Sequence, residues 1–241
     1  MTGADPEHGR PIEAPQELQP VFNIPAVVVA LIAVCVAVHL VRLYVLTIDQ
    51  DIWLLLRAAF IPIRYSGQFD IDVYAFTTPF TYAFLHGSVM HLAINMIWLA
   101  AFGSPLANRL GVGRFLVFWA ATGIAAAATH YLLHMVDQSP LVGASGAISG
   151  MMGAAARFGF RASRAAGRSA FDGPLLPAAV ALRLRPVVTF LAVWMAINLV
   201  TGLVGLGAGA DRIAWEAHVG GFVVGFFGIG SFVPGRRTVP R

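Results

Sequence analysis

Charged residues are scarce in this chain of 241 residues, where they make up only 12% of the sequence. Soluble domains usually carry about 25% charged residues. Hydrophobic residues reach 58%, and the mean hydropathy is +0.74. This composition excludes an ordinary soluble domain and indicates that lipid surrounds much of the protein. Because a membrane helix needs roughly 20 apolar residues, the length leaves room for about six spans in one bundle.

Cysteine is represented by Cys35 alone, so no disulfide can form within the chain. The chain has no His-Glu-x-x-His motif and no cysteine that could accompany the histidines, so the sequence predicts neither a metal nor a cofactor.

All 16 basic residues are arginine, and we interpret the net charge of +4 as a topology signal rather than a nucleic-acid site. The acid-rich first 20 residues contain no short apolar core with a cleavage site, so we expect a flexible tail rather than a targeting peptide.

Long apolar runs divide the rest of the chain into six predicted spans, at about residues 24–46, 88–106, 115–133, 142–160, 187–206 and 213–233. We therefore expect an all-α membrane protein, with one six-span domain over residues 25–234 and cytosolic tails over residues 1–24 and 235–241. Between the first two spans lies a long insertion, in which residues 52–61 are too short to cross the membrane. This segment is predicted to lie along the interface.

The placement of the arginines selects one orientation for these spans. With the N-terminus in the cytosol, twelve arginines fall on the inner side and four on the outer side, as the positive-inside rule requires. Spans two, four and six then all run from outside to inside. Four polar residues lie near the start of one of these spans: His91, Asn95, Ser145 and His218. We expect them at a similar depth below the outer surface, facing the bundle interior or a water-filled cavity.

Ser145 and His218 are the candidate nucleophile and general base. A serine hydroxyl becomes a strong nucleophile when an adjacent base takes its proton, and histidine has a suitable unperturbed pKa near 6.5. The tetrahedral intermediate needs hydrogen-bond donors, for which the Ser145 amide and the side chains of His91 and Asn95 are candidates. Glu216 lies about 200° around the helix from His218 and points elsewhere, so the sequence favours a serine–histidine dyad over a triad.

Pairs of glycines four residues apart predict how the serine and the histidine meet. Span four carries Gly146 and Gly150, and span six carries Gly221 and Gly225. Small residues at this spacing let two helices approach backbone to backbone. Packing of spans four and six along these faces is expected to bring Ser145 within reach of the histidine.

Each fragment taken alone also has a plainer interpretation. The Gly-Ala-Ser-Gly stretch is typical of a helix-packing face, and His218 is typical of a buried, hydrogen-bonded histidine. His91 and Asn95 can serve as hydrogen bonds between helices, and Asn198, in the middle of span five, is interpreted as a packing hydrogen bond. His134, at the end of span three, is interpreted as an interface residue. The ordered set at one depth favours the catalytic interpretation.

In these residues the sequence resembles the rhomboid family of intramembrane serine proteases. The matching segments, in chain order, are His86-Gly87-Ser88-Val89-Met90-His91-Leu92-Ala93-Ile94-Asn95, then Gly143-Ala144-Ser145-Gly146, then Ala217-His218-Val219-Gly220-Gly221 with Gly225. The resemblance implies a six-helix core with a water-filled cavity open to the outside. It implies Ser145 as nucleophile, His218 as base, and an oxyanion hole of His91, Asn95 and the Ser145 amide. His86 would support the site without taking part in catalysis.

The function implied by this resemblance is that of a serine endopeptidase that cuts single-span membrane proteins in or near their transmembrane segment. The alternative is a non-catalytic protein of the same fold that binds transmembrane clients. A transporter is disfavoured because no broken mid-membrane helix pairs with charged residues. We expect an integral protein of a bacterial inner membrane, with transmembrane substrates and the bilayer as partners and no nucleic acid. The sequence does not predict the oligomeric state.

The sequence departs from the family pattern at three places. Thr77-Thr78 stand where the family often has Trp-Arg in the loop before span two, so that loop needs a different anchor. Ser149 stands where many members carry an aromatic residue on which the histidine stacks, so another contact must hold His218. Ala107 stands where the family tends to have a glutamate near the end of span two.

Overall fold

The computed structural model describes residues 24–160, 171, 173–204 and 214–234. Its α-helices are α1 (Ala26–Tyr44), α2 (Ile48–Ala58), α3 (Val73–Thr81), α4 (Val89–Trp98), α5 (Ser104–Leu110), α6 (Val112–Leu133), α7 (Ser145–Arg157), α8 (Ala178–Ala181), α9 (Arg185–Val204) and α10 (Trp215–Gly228). Short 3-10 turns occur at Pro62–Tyr65, Tyr82–Phe84 and Ile229–Ser231. Over these residues the only strand-like pairing is an isolated bridge between Phe60 and Leu141, so the all-α prediction is confirmed. Most of the two predicted tails, and the arginines between residues 161 and 170, lie outside the described residues.

Four helices in the described part are long and apolar enough to cross a membrane: Ala26–Tyr44, Val89–Leu110, Val112–Leu133 and Arg185–Gly202. The second of these combines α4 and α5, which are joined by a π-helical turn at Leu99–Gly103. The four helices match predicted spans one, two, three and five to within a few residues. They confirm an α-helical membrane protein.

The helices at predicted spans four and six are shorter than the sequence suggests. α7 has 13 residues and α10 has 14. At 1.5 Å per residue each is about 20 Å long, less than the roughly 30 Å of the hydrocarbon core. Every residue of α7 from Gly146 to Ala156 is buried, so protein rather than lipid surrounds this helix. An enclosed helix need not match the bilayer thickness, and the count of six crossings stays a prediction.

α7 and α10 touch along a line of glycines that we call the glycine seam: Gly146, Gly150, Gly221 and Gly225. A side chain added at Gly221 would collide with the carbonyl oxygen of Gly146, and one added at Gly225 would collide with the backbone of Gly150. This contact is the backbone-to-backbone approach that the glycine spacing predicts. The seam fixes the start of α7 against the first half of α10.

α6 supports α7 from another side, again through small residues. Side chains added at Gly146 and Gly150 would collide with Ala126 and Thr122, respectively. Thr122 is fully buried and satisfies its hydroxyl on the carbonyl of Phe118 at 2.8 Å, within its own helix. A polar residue at this contact therefore leaves no unpaired donor in an apolar environment.

The insertion between α1 and α4 lies on the surface of the bundle. α2 begins with a capping box, in which the Thr47 hydroxyl accepts from the Gln50 backbone and the Gln50 side chain accepts from the Thr47 backbone. None of the residues of α2 is buried, and Trp53 is 55% exposed. These features agree with a segment along the interface, but the helix covers Ile48–Ala58, so it begins four residues earlier and ends three residues earlier than the predicted segment 52–61.

Tyr65 anchors the second half of this insertion. Its hydroxyl donates to the Ala75 carbonyl at 2.7 Å and lies 3.0 Å from the Thr78 hydroxyl. Its carbonyl accepts a hydrogen bond from the Tyr131 hydroxyl of α6 at 3.1 Å. Thr78, which stands in the position of the family's Trp-Arg pair, therefore contributes to a polar anchor that joins α3 to the bundle.

Candidate active site

Ser145 is the first residue of α7 and follows a loop that is held in one conformation. Gly143 has a φ of +123°, a region that glycine adopts readily and other residues rarely do. Its amide donates to the Tyr82 carbonyl at 3.0 Å, and the Tyr82 hydroxyl donates to the Gly123 carbonyl of α6 at 2.7 Å. These bonds fix the direction in which the chain enters α7, and hence the position of the serine hydroxyl.

The structure brings Ser145 and His218 into direct contact. His218 Nε2 lies 2.7 Å from Ser145 Oγ, which is an ordinary hydrogen-bond distance. Ser145 starts α7 and His218 lies in the first turn of α10, so the glycine seam places the two residues side by side. Both side chains are half-buried, so a substrate can still reach the hydroxyl.

The other nitrogen of His218 is held by Asn198, a residue of α9. His218 Nδ1 lies 2.5 Å from Asn198 Oδ1, and Asn198 Nδ2 donates to the Trp194 carbonyl at 2.7 Å. Because the Trp194 carbonyl can only accept, the amide oxygen of Asn198 must face the histidine. An amide oxygen also only accepts, so His218 carries its proton on Nδ1. Nε2 is then left with a lone pair directed at the serine hydroxyl.

Sequence reasoning therefore missed a member of this hydrogen-bonded chain. It assigned Asn198 to packing, whereas the structure places this residue, 6% exposed, directly behind His218. The signal available was a polar side chain in the middle of an apolar span, which needs a partner somewhere in the bundle. The sequence also predicts that Glu216 points away from His218. In the structure its carboxylate contacts His130 on α6.

His91 and Asn95 come from α4, whose N-terminus lies beside the loop before Ser145. The Ser88 hydroxyl caps this helix by accepting from the His91 amide at 3.1 Å. A side chain added at Gly143 would come within 2.8 Å of His91 Nε2, so the ring lies directly against the loop. Asn95 is 4% exposed, and its Nδ2 donates to the His91 carbonyl at 2.9 Å. The structure thus places the His91 ring beside the serine loop, with Asn95 one turn deeper on the same helix.

His86 packs behind His91. The two ring centroids are 5.2 Å apart with an edge-on geometry, and His86 is 1% exposed. Burial, together with the neighbouring His91 and His39, lowers the pKa of His86 to about 3, so its ring is neutral at pH 7. The His86 carbonyl accepts from Arg42 at 3.0 Å, and Arg42 also pairs with Asp51 of α2. Arg42 therefore ties the end of α1 to the segment that leads into α4.

The contact that holds the His218 ring is, within the described ranges, the hydrogen bond that its Nδ1–H donates to Asn198 rather than an aromatic face. Ser149, at the position of the family's stacking aromatic, is 3% exposed and lies one turn into α7. Both ring nitrogens of His218 are used by hydrogen bonds.

Over the described residues, the three side chains grouped closely enough to hold a metal ion are His130, His134 and Glu216.

Comparison with known proteins assigns the same part of the chain to a family. The family profile described as Rhomboid domain matches residues 74–233. The chain is 32% identical over 146 residues to the rhomboid protease GluP of Bacillus subtilis, an alignment that covers 59% of this chain and 23% of that protein. It is 29% identical over 124 residues to the rhomboid protease GlpG of Klebsiella pneumoniae, covering 52% of this chain and 40% of the relative. The chain therefore spans less than half of the length of these relatives.

Proposed function

The chain belongs to the rhomboid family, which confirms the resemblance found in its sequence, and from this membership we propose that it is an active serine endopeptidase working within the membrane. The observation that carries the proposal is the hydrogen-bonded chain from Asn198 through His218 to Ser145. A protein that only binds transmembrane clients has no need of a serine hydroxyl aligned with a histidine lone pair.

In the proposed reaction, Ser145 Oγ attacks the carbonyl carbon of the scissile peptide bond while His218 Nε2 takes the hydroxyl proton. The 2.7 Å separation lets this transfer occur without movement of either backbone. His218 then gives the proton to the leaving amine, and the acyl-enzyme forms as the C–N bond breaks. A water molecule activated by the same nitrogen hydrolyses the ester and restores the serine. Asn198 keeps Nδ1 protonated throughout, so it acts as a positioning residue.

The oxyanion of the tetrahedral intermediate needs donors beside Ser145. The Ser145 amide is at the first position of α7, where backbone N–H groups have no partner within the helix. The His91 ring lies against the loop before the serine, and Asn95 follows it on α4. These three donors form the proposed oxyanion hole. Two glycines support the oxyanion hole: a side chain at Gly143 would displace His91, and one at Gly146 would displace α6.

We further propose that the protein has the membrane arrangement predicted from its sequence. The domain covers residues 25–234 and crosses the bilayer six times, with the N-terminus in the cytosol and the site open to the outer side. α7 and α10 are the two short crossings; α7 is enclosed by its neighbours, and α10 packs against α6 and α7 on one side. Substrates are single-span membrane proteins, cut in or near the transmembrane segment, where the peptide can reach the half-buried Ser145.

Replacement of either reacting side chain tests the proposal. Ser145→Ala and His218→Ala should each lower cleavage of a single-span model substrate by at least about 1,000-fold, since each removes an essential participant in proton transfer and attack. Cleavage is measured in liposomes by gel shift of the substrate. A fluorophosphonate probe should label the wild-type protein and leave Ser145→Ala unlabelled.

Ser139→Ala is the matched control, because Ser139 is exposed in the loop that precedes α7. It should keep both cleavage and labelling. Wild-type protein that binds a transmembrane peptide yet neither cleaves it nor reacts with the probe would assign the chain to client binding instead. Undiminished cleavage by Ser145→Ala would rule out the proposed nucleophile.

A further inference from the structure

A second cluster of reactive side chains lies outside the Ser145–His218 contact. His130 lies in the last turn of α6 and His134 is the residue that follows the helix; their ring centroids are 5.0 Å apart. Glu216 lies in the first turn of α10. The three residues meet where the end of α6 packs against the start of α10. None of them has a part in the proposed proteolysis.

The distances within this cluster suit a metal ion. Glu216 Oε1 lies 2.7 Å from His130 Nδ1 and 3.2 Å from His134 Nε2. All three potential ligand atoms lie within 4.8 Å of one another. Ligands of a tetrahedral Zn²⁺, bound at about 2.0–2.2 Å, are separated from one another by about 3.4 Å. Small side-chain rotations are therefore enough to bring the three atoms onto one ion.

The electrostatics of the cluster also favour a cation. The side chain of Glu216 is only 6% exposed, and its two ion-pair partners are histidines. A histidine, unlike an arginine, does not carry a permanent positive charge that would balance the carboxylate. A buried carboxylate is stabilised by a nearby positive charge. Asp137 adds a second negative charge: burial raises its pKa, but hydrogen bonds from Ser139 and the nearby His130 and His134 outweigh burial and lower it overall. Asp137 thus adds negative charge near the two histidines, whereas Glu216 is the carboxylate within reach of an ion.

Access to the cluster comes from one side. The side chains of His130 and Glu216 are 8% and 6% exposed, whereas that of His134 is 45% exposed. An ion can therefore enter past His134 and keep a water molecule at its fourth position. We propose that His130, His134 and Glu216 form a binding site for a divalent transition-metal ion, with Zn²⁺ the ion that this set of two imidazoles and one carboxylate fits best.

A bound ion would join α6 to α10 two residues before His218. Because the folded protein holds the three ligands together and the unfolded chain does not, zinc stabilises the fold in proportion to its affinity. The site does not depend on whether the protein is a protease. Binding and catalysis can therefore be tested separately.

The test uses the full chain in detergent, stripped with a chelator and then titrated with ZnCl₂ against a fluorescent zinc indicator. The wild-type protein should take up a single zinc ion per chain, and its melting temperature should rise. His134→Ala should weaken zinc binding by about 100-fold or more, since it removes one of three protein ligands. The half-exposed side chain of His134 makes this the variant least prone to misfolding. Co²⁺ should give the visible absorption of a tetrahedral site, and His134→Ala should lose it.

Histidines elsewhere in the chain provide the matched controls. His91→Ala and His218→Ala should keep the wild-type zinc affinity, because both residues belong to the serine site. Glu216→Gln should weaken binding as His134→Ala does.

Three results would overturn the proposal. The wild-type protein could take up no zinc, His134→Ala could retain the wild-type affinity, or the loss of binding could follow His91 and His218 instead. In the first case the cluster is a hydrogen-bonded link between helices and nothing more. In the last case zinc binds the serine site.

Discussion

The imidazole of His218 has a fixed tautomer because each of its nitrogens faces a different partner. Asn198 accepts from Nδ1, and Ser145 presents its hydroxyl to Nε2. A neutral amide can orient a histidine in this way without placing a further charge inside the membrane. The same use of asparagine occurs in the Cys-His-Asn arrangement of papain-like proteases. The site is thus an Asn–His–Ser chain in geometry, although the proposed reaction requires only two reacting groups.

The expected effect of Asn198→Ala follows from this tautomer. Without the amide oxygen, the ring can rotate or carry its proton on Nε2, and the fraction of protein ready to react falls. We expect kcat to fall by about 100-fold with little change in KM, because no substrate contact is lost. The measurement is steady-state cleavage in liposomes, together with the melting temperature.

Thr201→Ala is the control on the same helix. Its hydroxyl bonds to backbone carbonyls of α9, that of Ile197 at 2.7 Å and that of Asn198 at 3.2 Å, and does not bond to the Asn198 side chain, so its removal should leave kcat unchanged. If Asn198→Ala also left kcat unchanged, or lowered it only in step with the melting temperature, the positioning role would be wrong.

The two residues proposed to react were predictable from the sequence, and the residue that orients the histidine was not. Ser145 and His218 lie in short glycine-rich motifs at the start of apolar runs, and both features are visible in a single sequence. Asn198 has no such motif around it. Its contact with His218 depends on how α9 is rotated and shifted against α10, which local spacing does not encode. The meeting of His130, His134 and Glu216 depends on the fit of α6 against α10 in the same way.

The glycine seam determines the serine–histidine distance at the level of helices. Spacing alone predicted which faces of α7 and α10 meet, because small residues four apart mark a contact face. Helix length was less predictable. A run of apolar residues from 142 to 160 contains a helix only from Ser145 to Arg157, because the loop before it is tied to Tyr82 and Phe60. Buried connections are as apolar as helices, so hydropathy does not separate the two.

Gly221→Ala tests the seam. The added methyl group would collide with the Gly146 carbonyl oxygen and force α10 away from the start of α7. We expect a loss of about 1–3 kcal/mol in stability and a larger loss in activity, since a shift of about 1 Å at the reacting atoms can lower the rate about 100-fold. Unfolding in mild denaturant and cleavage in liposomes measure the two effects.

Gly228→Ala, on the same helix, supplies the comparison. A methyl group there would meet only Val224, at 4.0 Å, an ordinary contact distance. It should leave activity intact. Equal losses in both variants would mean that glycine matters for helix flexibility rather than for close approach.

At the scale of the whole molecule, the orientation in the membrane is open to a direct test. Cys35 is the only cysteine and is fully buried, so a Cys35→Ala background allows single cysteines to be labelled one at a time. Ser139 lies in the loop before α7, and Gly173 lies beyond the other end of that helix. A cysteine side chain fits at Gly173 because nothing lies within 4 Å of an added Cβ.

With the N-terminus in the cytosol, a membrane-impermeant maleimide should label Ser139→Cys in intact cells. It should label Gly173→Cys only after the membrane is permeabilised. The reverse pattern would invert the predicted topology and place the serine site on the cytosolic side. Labelling of both positions in intact cells would mean that α7 does not separate the two sides.

Because main chain meets main chain at the seam, the distance between the backbones that carry Ser145 and His218 depends on peptide geometry and not on bulky side chains packed between the helices. The outward faces of the longer helices can then change to suit a thicker, thinner or more charged bilayer. Such changes leave the interior contact as it is. The protein in this way separates adaptation to its lipid surroundings from the fine alignment on which its chemistry depends.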